Sequence, residues 1–335
     1  MRAVVVTKQA PVESGPLEVV ELPVPRPEPD ELLVRVLYCG VCRTDLHIVE
    51  GDLPLRRTPT IPGHQVVGVV EDAGAQCRRF HLGDRVGIAW LRWTCGECKF
   101  CRRERENLCP RARFTGYDAP GGFAEYTVVP EAFAYPLGEA FDAPHAAPLL
   151  CAGIIGFRAL KRANVPSGGR LGLIGFGSSA HITLQVALAR GYRCYVISRG
   201  EAHQKLARRL GAIWAGRRLE ALPYPLDAAI LFAPVGDLVP ATMRVLDRGG
   251  TLSIAGIHLT DIPSLRYSET LFFERDLRSV TANTRQDGLQ LLSEAARIGL
   301  QPEVEIYPLE EAGRALEDLK HSRISGTAVL RVAER

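Results

Sequence analysis

Four cysteines crowd the stretch TCGECKFCRRERENLCP: Cys95, Cys98, Cys101 and Cys109, spaced C-x2-C-x2-C-x7-C. Thiolates at this spacing can wrap one tetrahedral zinc ion, and four sulfur ligands leave no position for a substrate, so the chemistry on offer is structural. Disulfides, a redox pair and an iron–sulfur cluster compete for the same residues. Nothing else in the chain suggests electron transfer, and structural zinc is the preferred reading. A second set of candidate ligands is dispersed. CGVCRTDLH offers Cys39, Cys42, Asp45 and His47, IPGHQVVG offers His64, and PLLCAG offers Cys151. Each alone is better explained by packing than by ligation, and spacing gives no reason to join residues so far apart. A third motif, GFGSSA, places Gly175, Gly177 and Ala180 in the G-x-G-x-x-G/A form. The first glycine permits a tight turn, the second lets backbone N–H groups approach a pyrophosphate, and the small third residue lets a helix pack on its strand.

That motif means something only between a strand and a helix. RLGLIGFG (170–177) reads as a strand with a glycine turn, and 178–191 as a helix closed by glycine. Strands at 192–198, 226–234 and 251–257 then alternate with helices at 201–212 and 236–250, the pattern of βαβ crossovers and a parallel sheet. The N-terminal part differs. RAVVV (2–6), ELLVRVLY (31–38), QVVGVVED (65–72) and DRVGIAW (84–90) are β-branched or alternating runs separated by Pro, Gly and Asp, as expected of a β-rich or barrel-like domain. After helix 287–300, the strand EVEIYPL and helix 310–323, GTAVLRV reads as a last strand able to return to the first domain. The coenzyme strand 192–198 ends in VISRGE, placing Ser198 and Arg199 where an Asp or Glu would take the ribose 2′-hydroxyl of NAD. A hydroxyl and a guanidinium suit a 2′-phosphate instead, so NADP(H) is expected ahead of NAD(H), with Glu201 as a mild counter-argument.

Whole-chain properties narrow the classes. At 335 residues the chain is expected to hold two domains. A net charge of +3 gives no electrostatic footprint for nucleic acid, and no apolar run reaches bilayer length. The start, MRAVVVTKQ, reads as a strand, not a signal peptide. A cytoplasmic location is expected, and nine cysteines in a reducing compartment favour metal or catalysis over disulfides.

In order along the chain, GVCRTDLH, PGHQVVGVV, the four-cysteine lobe, LLCAG and GFGSSAH together resemble the zinc-dependent alcohol dehydrogenases of the medium-chain dehydrogenase/reductase superfamily. The resemblance implies an α/β chain: a GroES-like, β-rich catalytic domain over 1–150, carrying the zinc lobe at 91–112; a Rossmann doubly wound coenzyme domain over 151–285; and a segment 286–335 returning to the catalytic domain, with the active site in a cleft. It implies two zinc ions. Cys42, His64 and Cys151 would hold the catalytic one, with a fourth position open, and the cysteine lobe the structural one. Thr44 matches the residue that hydrogen-bonds the alcohol oxygen, His47 the next proton carrier, Asp45 the carboxylate that orients a zinc-bound imidazole, and Arg43 a pyrophosphate contact. Trp90 resembles an aromatic lining of the substrate pocket, with a place in the core as the alternative. Cys39 is read as packing.

Three departures stand out: Gln65 replaces a Glu after His64, Ile155 replaces a Thr near the nicotinamide, and Thr327 replaces an Arg after Gly326. The implied partner is an alcohol, aldehyde or ketone, with GDLPL and IAWLRW favouring aliphatic or aromatic compounds. A polyol or amino-alcohol dehydrogenase is the alternative within the superfamily, and a zinc-finger-like nucleic-acid binder a distant one. CRRERE is expected on a solvated surface. Neither nucleic acid nor membrane is an expected partner, and a homodimer or homotetramer is implied.

Overall fold

A computed structural model describes residues 1–333. The chain divides into two units, one of Met1–Cys151, Ala282–Ala296 and the stretch from Gln301, the other of Ala152–Thr281 and Arg297–Leu300.

The first unit is built on the β-branched runs. Its strands are β1 (Arg2–Val6), β2 (Leu17–Glu21), β3 (Glu31–Gly40), β4 (Gln65–Ala73), β5 (Arg85–Ile88), β6 (Leu91–Trp93), β7 (Arg113–Phe114), β8 (Tyr126–Pro130) and β9 (Ala134–Pro136), with helices α1 (Arg43–Glu50) and α2 (Ala143–Ala146). The second unit follows as α3 (Ala152–Ala163), β10 (Arg170–Ile174), α4 (Ser178–Ala189), β11 (Arg193–Ile197), α5 (Glu201–Arg209), β12 (Trp214–Gly216), β13 (Leu226–Leu231), α6 (Leu238–Val245), β14 (Leu246–Ile254), α7 (Tyr267–Thr270) and β15 (Asp276–Ser279). The chain closes with α8 (Arg285–Ile298), β16 (Val304–Pro308), α9 (Ala312–Lys320) and β17 (Thr327–Arg331).

In the first unit a seven-stranded sheet runs β16-β17-β3-β4-β5-β9, with β8 added on β3. The last strand returns to pair antiparallel with β3, Leu330 opposite Cys39. Val34, Val36, Val66, Val86, Ile88 and Leu330 fill one continuous core beneath it. In the second unit six parallel strands take the order β12-β11-β10-β13-β14-β15. The chain order reverses beside β10, so the glycine turn after β10 lies at the topological switch point, where such sheets bind ligands.

Some elements differ from the sequence reading. Residues 246–250, expected to end a helix, open β14, because Leu246 already pairs with Leu226 and Gly249, at φ +72°, lets the chain turn within the strand. Helices α1 and α3 form over motifs whose residue types point to ligand chemistry before they point to a helix. CRRERE is solvated only in part: Arg102 to Arg105 are exposed, but Glu106 is 8% exposed. Its carboxylate accepts from the Arg285 backbone N–H (2.7 Å), Nε (3.0 Å) and Nη2 (2.6 Å), pinning the cysteine lobe to the start of α8. Arg285 also lies 4.6 Å over the Phe133 ring. Truncating Glu106 strands three donors, two of them on a half-exposed guanidinium. Glu106→Ala is expected to cost about 1–3 kcal/mol, read as a Tm lowered by a few degrees in thermal denaturation. An unchanged Tm would show that the lobe is held elsewhere.

Candidate metal centres and active site

Cys42 ends the loop after β3 and caps α1. Its Sγ accepts from the Thr44 N–H at 3.3 Å, and its own N–H donates to Asp45 Oδ2 at 2.9 Å, a reciprocal cap. The other Asp45 oxygen accepts from Gly63 N–H (3.0 Å) and faces His64 Nδ1 (3.1 Å). That contact fixes the ring and turns Nε2 toward Cys42 Sγ, 3.3 Å away. Gly63 sits at φ +95°, and a Cβ there would lie 2.5 Å from Phe123, so only glycine delivers His64 in this position. Cys151, just before α3, completes the group: donor atoms of Cys42, His64 and Cys151 all lie within 4.8 Å of one another.

The electrostatics suit a cation. A hydrogen bond from the Cys151 thiol, helped by His64, holds Cys42 well below the ordinary thiol range, while the same contact and burial push Cys151 up. Burial opposes charge on His64, but Asp45 and Cys42 outweigh it and raise the imidazole well above its usual value. Two soft thiols and one imidazole, sharing protons that a divalent ion would displace, fit zinc and leave a coordination position open.

The cysteine lobe is equally convergent. Sγ–Sγ distances are 3.5 Å for Cys98–Cys101 and Cys95–Cys109 and 3.9 Å for Cys95–Cys101. A tetrahedral zinc with sulfur at about 2.3 Å would separate its ligands by about 3.8 Å. Burial opposes ionisation of Cys95, but backbone N–H groups of Cys98 and Glu97 and the thiol of Cys109 outweigh it and pull Cys95 down to about 6. All nine cysteines are free thiols.

Around the Cys2His group, Thr44 and Asp45 are buried and Arg43 is exposed at the first residue of α1. His47 Nδ1 pairs with Asp52 at 2.7 Å, because Gly51 (φ +100°) ends α1 and turns the chain back. Sequence reasoning missed Asp52; its only signal was its place just past that glycine. Trp90 lies beyond β5, edge-on to His64 at 5.0 Å and stacked with Phe114 (4.8 Å) and Tyr117 (5.9 Å). Gln65 is buried, and among the described residues neither its amide N nor O has a partner. Ile155 is half-buried on α3, and Thr327 is buried at the start of β17.

In the second unit, Gly175 has φ +90°, and a Cβ there would meet Ala233 N at 2.8 Å. Gly177, the N-cap of α4, has open space where its Cβ would be, leaving its backbone approachable. Ala180 is buried on α4. Ser198, past β11, is 7% exposed with its Oγ 3.4 Å from His203 Nδ1, and Arg199 is exposed. The open glycine cradle at a helix N-terminus fits a pyrophosphate.

A family model of the alcohol dehydrogenase GroES-like domain matches residues 28–139. The chain is 57% identical over 335 residues to the Mycobacterium tuberculosis protein named "Probable alcohol dehydrogenase AdhA", covering 98% of this chain and 97% of that one. The chain belongs to the zinc-dependent alcohol dehydrogenases of the medium-chain dehydrogenase/reductase superfamily. An alcohol dehydrogenase of Geobacillus stearothermophilus is 35% identical over 327 residues, covering 95% of this chain and 96% of that one. The cobalt- and zinc-bound thermostable alcohol dehydrogenase from Pyrobaculum aerophilum matches with a TM-score of 0.90 at 27% identity over 99% of both chains. In this alcohol dehydrogenase the two ligand groups should separate on mutation. Cys98→Ser should first lower Tm and metal content, whereas Cys42→Ser, which leaves the buried Asp45–His64 pair in place, should abolish turnover with little change in Tm. Equal loss of stability from both groups would contradict the division into structural and catalytic sites.

Proposed function

We propose that the protein interconverts aliphatic or aromatic alcohols with their aldehydes or ketones, using NADP(H) and two zinc ions per chain. The observation that carries this reading is the convergence of Cys42, His64 and Cys151, with Asp45 bound behind the imidazole. Zinc held by these three residues supplies Lewis acidity at the substrate oxygen. The four thiols of Cys95, Cys98, Cys101 and Cys109 would hold the second ion, with no position left for a substrate.

The remaining work falls to the chain. On oxidation, Thr44 Oγ1 accepts the substrate hydroxyl proton, and His47, held through Nδ1 by Asp52, carries it outward. A bound nicotinamide would take up the hydride from the carbinol carbon, balancing one alcohol and one NADP⁺ against one carbonyl compound, one NADPH and one proton. The Gly175–Ala180 turn binds the pyrophosphate, and the family resemblance makes Arg43 a cofactor-binding residue. Trp90, fixed by Phe114 and Tyr117, presents an apolar surface to the substrate. Ser198 and Arg199 recognise the 2′-phosphate in place of a carboxylate that would repel it. Nine free thiols support a reducing, cytoplasmic setting, and the family resemblance supports a homodimer or homotetramer.

The test is a panel of primary, secondary and aromatic alcohols and their aldehydes with both cofactors. NADPH should give the higher kcat/KM, and Arg199→Asp should move the ratio toward NADH. A strong NADH preference in the unmodified enzyme would overturn the cofactor assignment.

A further inference from the structure

Strand β12 brings a second source of positive charge to the end of β11. The two strands pair in parallel with Ile197 opposite Gly216, and the ladder runs one step further, Ser198 N–H donating to Gly216 O at 2.9 Å. Arg217 and Arg218 follow Gly216 directly, so they leave β12 beside the point where Ser198 and Arg199 leave β11. Arg218 is extended, at φ −129° and ψ 143°, and leads into a short turn at Leu219–Ala221. Trp214 fixes the approach: its indole covers the Gly216 Cα so closely that a Cβ there would lie 2.3 Å from the ring.

Arg199, Arg217 and Arg218 are all exposed, and among the described residues none of their side chains makes an ion pair or hydrogen bond. This contrasts with Arg170, Arg275 and Arg278 in the same unit, each engaged by carboxylates or carbonyls. The flanking carboxylates are Glu201 and Glu220. His203 stands over the same loop, its Nδ1 3.4 Å from Ser198 Oγ and 3.5 Å from where a Gly200 Cβ would be. Three unneutralised guanidiniums at the carboxyl edge of a parallel sheet, around a buried hydroxyl, suit a compact dianion better than a neutral ribose hydroxyl.

We infer that Arg217 and Arg218, contributed by the end of β12, are specificity-determining residues that with Arg199 surround the adenosine 2′-phosphate of the coenzyme. The assignment rests on the NADP(H) reading above and extends it to residues outside the glycine motif and the β11 terminus. It predicts that recognition of the 2′-phosphate is shared between two strands and survives in part when Arg199 alone is removed.

Calorimetric titration of the full-length protein with adenosine 2′,5′-bisphosphate and with adenosine 5′-monophosphate separates the possibilities without turnover. The unmodified protein should bind the bisphosphate more tightly. Arg217→Ala/Arg218→Ala should weaken bisphosphate binding by about tenfold or more, with monophosphate binding retained as the check on folding. If the double variant keeps the full preference while Arg199→Ala abolishes it, the β12 arginines have no part in recognition, and the NADP(H) reading stands without them. If the unmodified protein shows no preference for the bisphosphate, both readings fall.

Discussion

The first unit is organised around one buried carboxylate. Asp45 is fully buried, and its two oxygens meet three nitrogens: Cys42 N–H, Gly63 N–H and His64 Nδ1. An unpaired carboxylate in that position would be costly enough to protonate or to unfold its surroundings. Here each contact also fixes a part of the site. The bond to Cys42 closes the first turn of α1 and sets its capping thiol. The bond to Gly63 holds the turn leading into β4, and the contact with His64 decides which ring nitrogen faces the thiols. Burial still raises the carboxyl's pKa above the ordinary range, despite the opposing charge of His64. Breaking such a buried pair typically costs on the order of 3–5 kcal/mol, so Asp45 links local folding to ligand geometry.

Gln65 is intelligible in the same terms. It follows His64 at the start of β4, and its side chain lies against Gly40, where a Cβ would be 2.9 Å from Cδ. Neither amide atom has a partner among the described residues. A neutral amide left unsatisfied costs a few kcal/mol at most, whereas a carboxylate without donors in the same buried place would cost far more. The glutamine therefore suits a surrounding that offers no compensation for charge beyond the pairs Asp45 already makes.

Much of the architecture was legible because it rests on periodicity and punctuation. The alternation of β10, α4, β11 and α5 follows directly from apolar runs bounded by glycines, and the four-cysteine lobe is local. Cys42, His64 and Cys151 were not legible from spacing, since their proximity is created by β3, β4 and the approach to α3. Only the resemblance joined them. Helix α1 was obscured because a cysteine cap and a buried aspartate do not look like a helix start. The Glu106–Arg285 and His47–Asp52 pairs, and the stack of Trp90 with Phe114 and Tyr117, depend on loop paths that no local rule specifies. The strand start at Leu246 was hidden because DRGG carries no strand propensity; pairing with Leu226 decides it.

The central claim is that the chain holds two zinc ions in different ligand sets, one closed and one open. Zinc analysis combined with X-ray absorption at the zinc edge tests this most directly. Two ions per chain are expected, with six cysteine sulfurs and one imidazole nitrogen between them as ligands. A single zinc in a pure sulfur shell would contradict the account, because Cys42, His64 and Cys151 would then not form a metal site.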